Sequence, residues 1–326
     1  LIGTVPGDTA ELVIPADFAF APHTHFLIYT ASNFSEQSYP SALAIVDTSA
    51  SASNLAFLDL DLDGGELGGL LQWTPAQAPA VQDYLVYLDT WASFGGRSQL
   101  GTATSGSSLL VPAETAQLSY DLLAVYTRSS LAEQTTPVAI APVDSEALAE
   151  NVSFVDLDLD EFDLGGLISW LPAGDTALVA SYVVYFAESD CDLLHEDANG
   201  TYTSDAGTLL ENATAPALCN LLRIATVTNS NATNTSDFSI FLEPETLQQN
   251  YTHLAIFAKS VLVEQTTPAS LLIFDAAASV SDLAFDDLDL DEQQLGGSIT
   301  FLPPASSANL VDSYAIYLAQ GAETKC

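Results

Sequence analysis

The chain has 326 residues, 48% of them apolar, which suffices for two or three domains with ordinary cores. It sets 43 acidic residues against five basic ones, a net charge of −38. That balance excludes nucleic acid and anionic membrane surfaces as partners, because both need clustered Lys and Arg. No apolar run approaches the ~18 residues that cross a bilayer.

Residues 1–53 contain a block, NFSEQSYP at 33–40, that returns in stronger form. It reads SLAEQTTP at 130–137 and SVLVEQTTP at 260–268. His23 and His25 form a lone H-x-H on a predicted strand. Zinc would need a third ligand, and none is evident.

Residues 57–75 read FLDLDLDGGELGGLLQWTP. The pattern recurs as FVDLDLDEFDLGGLISWLP at 154–172 and FDDLDLDEQQLGGSITFLP at 285–303. Three copies of one signature mark a repeat protein. A second block follows each copy: VQDYLVYL at 81–88, VASYVVYF at 179–186 and VDSYAIYL at 311–318. The signatures stand 97 and then 131 residues apart, and the 34-residue excess falls at about 189–222. The expected division is therefore a later half-repeat at 1–53, complete repeats at 54–150 and 151–281, and an earlier half-repeat at 282–326. The chain reads as a piece of a longer array, or as a unit whose two half-domains complement each other head to tail.

Within 54–143 the elements are short. Residues 55–62 alternate apolar and acidic side chains, which predicts a strand. Gly64-Gly65 and Gly68-Gly69 break it. Further strands are predicted at 69–73, 81–88, 109–112, 118–126 and 138–142, with Tyr84, Val86 and Leu88 on one face. Six or seven short strands in under 100 residues, with no amphipathic helix, predict an all-β fold of tandem sandwiches.

These residues resemble a known family. Trp73-Thr74-Pro75, then Tyr84-x-Val86-x-Leu88, then Leu110-x-Pro112 with Thr115, Tyr120 and Val125, resemble a fibronectin type III domain. The resemblance implies an Ig-like β-sandwich whose Trp and Tyr fill the core. The exact repeat, with D-L-D-L-D, L-G-G and E-Q-T-T-P, resembles the tandem repeats of very large secreted or surface proteins of dinoflagellates and related marine protists. That implies an extracellular structural role.

The acidic ladder recurs as Asp59, Asp61 and Asp63, then Asp156, Asp158 and Asp160, then Asp287, Asp289 and Asp291. Glu66 and Asp163 extend the first two copies. Calcium takes several oxygens around one point, so these eleven residues are candidate ligands. The pattern is not an EF-hand, since no glutamate closes a twelve-residue loop. On a straight strand, Asp residues of one face lie about 6.5 to 7 Å apart, too far for three to share an ion without a kink. The alternative is a solvated acidic face on an edge strand, with the leucines buried.

N-x-S/T acceptors occur at Asn33, Asn151, Asn199, Asn212, Asn231, Asn234 and Asn250, seven of the eleven Asn residues, which predicts N-linked glycans and an extracellular or cell-surface setting. Cys191 and Cys219 bracket the insertion. A disulfide there would stabilise the fold by roughly 3 to 4 kcal/mol in the chain-entropy account. Cys326 stands near the place that Cys191 has in its own repeat.

No nucleophile lies in a recognisable motif and no glycine loop cradles phosphate, so no enzyme is predicted. The expected function is a structural part of a glycosylated extracellular filament or cell-surface fibre, associating with itself head to tail. The alternative is a calcium-dependent adhesin that binds carbohydrate or protein, with Trp91 and Phe94 as its only exposed-aromatic signal.

Overall fold

The computed structural model describes residues 1–91, 96–104, 106–172, 176–189, 194–196, 202–204, 209–210, 220–229 and 238–321. These form strands, turns and one short 3-10 turn, with no α-helix. Among the described residues no helix is long and apolar enough to cross a membrane.

Strands β1 (His25–Ile28) and β2 (Ser41–Ala44) form a two-stranded sheet. The next seven strands are β3 (Ser53–Ala56), β4 (Glu66–Thr74), β5 (Asp83–Asp89), β6 (Ser98–Thr104), β7 (Ser108–Ala116), β8 (Leu122–Arg128) and β9 (Val138–Ile140). They make one sheet in the order β3-β4-β7 and another in the order β6-β5-β8-β9. A second set follows: β10 (Glu150–Phe154), β11 (Asp163–Leu171), β12 (Ser181–Ala187), then β13 (Leu194–Glu196), β14 (Tyr202–Ser204) and β15 (Leu209–Leu210), then β16 (Leu221–Thr228), β17 (Phe238–Leu247), β18 (His253–Lys259) and β19 (Ala269–Leu272). Its sheets run β10-β11-β17 and β16-β12-β18-β19, with β13-β14-β15 as a small sheet within the insertion. Last come β20 (Ser281–Phe285) and β21 (Ile299–Leu302), paired only with each other. A three-stranded sheet facing a four-stranded one, with this same crossover order twice, is the arrangement a fibronectin type III-like sandwich requires.

The chain divides into two compact units. One comprises Leu1–Asp59, Gly69–Pro112 and Ser119–Val143; the other Leu60–Gly68, Ala113–Leu118 and Asp144–Cys326. In the first, Trp73 and Tyr84 pack with ring centroids 5.5 Å apart. Tyr84, Val86 and Leu88 are all buried, as their alternation predicts. The other face of β5 is buried as well, with Leu85 and Tyr87 against Ala124 and Tyr126. Arg97 covers that face, its guanidinium 4.2 Å from the Tyr87 ring centre and paired with Glu133 at 2.6 Å. In the second unit, Trp170 stacks on Phe238 and meets Tyr182 edge-on, over a core of Ile168, Val184, Phe186, Leu254 and Ile256. Each such side chain contributes about 1.5 to 3 kcal/mol by leaving water.

Several strands differ from their predicted bounds. The predicted strand at 109–112 extends to Ser108–Ala116, and that at 118–126 shifts along the chain to Leu122–Arg128. Strand β6 was not predicted, because SQLGTAT lacks the β-branched and aromatic content that signals strands. The main correction concerns 55–62. The strand there stops at Ala56, and residues 57–63 leave the ladder. The L-G-G glycines anchor the loop that follows. Gly69 and Gly166 sit at φ +152° and +146°. A Cβ on Gly166 would lie 2.5 Å from the Val155 carbonyl oxygen, and one on Gly69 would press on that of Leu58.

Candidate functional site

The ladder folds locally by a simple rule. In every copy an Asp carboxylate accepts the backbone N–H two residues on. Asp63 donates to Asp61 at 3.3 Å, Asp158 to Asp156 at 3.1 Å, Asp160 to Asp158 at 3.1 Å, Asp289 to Asp287 at 3.0 Å and Asp291 to Asp289 at 3.1 Å. Such turns compete with a strand ladder for the same amides, which is why the alternating stretch is not a strand.

The same carboxylates then reach across the fold. Asp156 accepts the amides of Gly165 and Ala276, each at 2.9 Å. Asp158 accepts that of Glu245 at 2.6 Å, as Asp61 accepts that of Glu114 at 2.7 Å. Asp287 accepts that of Gly296 at 2.9 Å. Asp63 accepts two amides at once, Thr266 at 2.7 Å and Thr267 at 2.9 Å, so the first signature is tied to the E-Q-T-T-P stretch some 200 residues on. Beside it, Gln265 donates to the Leu62 carbonyl at 2.7 Å. The turn between the carboxylates and the glycines is held from the linker: Gly65 donates to Asp144 and Phe162 to Asp275, each at 2.8 Å.

This corrects the burial expected of the ladder. Asp59, Asp61, Asp63, Asp156 and Asp158 are buried, while Leu58, Val155 and Leu157 are exposed; of the leucines, Leu62 alone is buried as expected, with Leu60 and Leu159 half-buried. Backbone amides solvate the carboxylates so fully that they occupy the interior. Asp160 and the third copy, Asp287 and Asp291, stay exposed, with Asp289 half-buried. Asp163 is half-buried at the start of β11.

Four carboxylates converge in the first copy. One oxygen each of Asp61, Asp63, Glu66 and Glu114 all lie within 4.8 Å of one another. Asp59 is not among them, and among the described residues no such group forms around the second or third ladder. Burial raises the Asp63 carboxyl above its usual range, against the pull of the Thr266 and Thr267 amides, and the Asp61 charge raises it further. Desolvation, a hydrogen bond with Glu66 and the charges of Glu66, Asp61 and Asp63 push the Glu114 carboxyl up to about 9, although Glu114 itself reaches solvent. Chemically, the cluster needs a positive charge: a proton shared by Glu66 and Glu114, or a hard cation.

Glu114 was not foreseen. The signal for it was present: Glu114-Thr115 and Glu245-Thr246 recur at the 131-residue spacing, both with the Glu at positive φ, 60° and 62°. Among the acceptor asparagines, Asn33, Asn151 and Asn250 are exposed. Asn199, Asn212, Asn231 and Asn234 lie outside the described residues, as do Cys191, Cys219, Cys326 and Phe94. Trp91 is exposed.

No family model matches the chain, and no curated protein matches it. Among solved structures, a two-fibronectin type III domain segment of chicken tenascin is 14% identical, over 68% of this chain and 98% of that one, with a TM-score of 0.24. The FN1–FN3 domains of chicken CNTN1 are 13% identical, over 77% of each chain, with a TM-score of 0.26. The fibronectin type III-like assignment stands on the strand order of this chain.

Proposed function

We propose that the chain is a non-catalytic structural component of a glycosylated extracellular filament or cell-surface fibre, such as the large repeat proteins of marine protists that its signature resembles. One observation carries the reading. The most regular feature of the sequence, the D-L-D-L-D ladder, spends its carboxylates on backbone amides of the same fold. Groups so engaged are parts of a frame. The Asp63 contact to Thr266 and Thr267 ties one repeat to the next, which stiffens a tandem array. Exposed acceptors at Asn33, Asn151 and Asn250 suit a glycan coat, and the charge of −38 keeps such arrays apart in solution. Secretion of the chain from eukaryotic cells, followed by glycopeptide mass spectrometry and electron microscopy, tests this. Occupied Asn33, Asn151 and Asn250 in elongated particles are expected. Bare asparagines in compact monomers would sink the reading.

The convergence of Asp61, Asp63, Glu66 and Glu114 favours a second reading, in which calcium sits at that cluster and the fibre is calcium-dependent. Calorimetry with calcium on the wild type and on Glu114→Gln separates the two. Heat from the wild type alone supports calcium; equal silence from both leaves a shared proton. Carbohydrate binding through Trp91 has only the exposure of that ring in its favour.

A further inference from the structure

We draw no further inference here: the strongest candidate, the outward apolar face of the three-stranded sheets, where exposed Leu70 and Leu110 of β4 and β7 recur as exposed Leu167 and Phe241 of β11 and β17, carries none, because nothing in the structure shows what covers it.

Discussion

Asp63 and Asp160 hold the same place in two copies of one motif, and their surroundings differ. Both stand two residues after an Asp whose carboxylate takes their N–H. Asp63 is buried and accepts the Thr266 and Thr267 amides; Asp160 is exposed. The local half of the structure, turns and glycines, is thus written in the motif and appears in every copy. The long-range half comes from a stretch far along the chain. A carboxylate here is interior or surface according to which amides arrive to solvate it.

The largest expected effects fall on the local half and, at Asp156, on both halves at once. Asp156→Ala strands three buried amides, those of Asp158, Gly165 and Ala276. Hydrogen bonds to a charged group contribute about 1.5 to 3 kcal/mol each and do not simply add, so a loss of about 4 kcal/mol is expected in urea unfolding. Gly166→Ala sets a Cβ against the Val155 carbonyl at φ +146° and should cost about 3 kcal/mol. Gly65→Ala, at φ +84° with open space around it, should cost about 1 kcal/mol. Equal losses at the two glycines would show that strain alone, without the close approach, explains the motif.

The long-range half sharpens the contrast at lower cost. Asp63→Ala should lose about 2 kcal/mol, while Asp160→Ala should fall within about 0.5 kcal/mol of wild type. Matching losses would mean that the E-Q-T-T-P contact adds nothing. The smallest effect is one of pH. The folded state holds a proton on Glu114 up to about 9, while the unfolded chain releases it near 4.5. Folded protein binds more protons throughout that window, so stability falls as pH rises across it. Glu114→Gln, followed by the unfolding temperature from pH 5 to 9, should flatten that slope. A slope unchanged by the substitution would remove the shared proton.

Much of the fold was legible in the sequence. Period-two alternation placed β5 and β12, and three copies of one signature fixed the tandem plan. The ladder misled because alternating Leu and Asp is a strand pattern and also a chain of Asp turns. Periodicity reports which residues share a face and is silent on which face is buried. Here the amides of Glu114, Thr266 and Thr267 decide, and none of them lies near the motif in sequence. Glu114 stayed hidden for a related reason. A lone Glu late in a mostly apolar strand has no pattern until its counterpart at Glu245 is set beside it.

The contact between Asp63 and residues 266–267 is made chiefly with main-chain N–H groups, joined by the Thr267 hydroxyl, so it reads the course of the backbone more than the letters along it. The Thr266 side chain should change with little consequence, and the weaker copy has Ser38 and Tyr39 in the two places. What such a contact does not forgive is a change of length. One residue added between Gln265 and Pro268 would carry both amides away from the carboxylate. Drift in such repeats should therefore spare spacing within the motifs and let spelling go, with length gained only far from the contact, as in the long segment between β12 and β16.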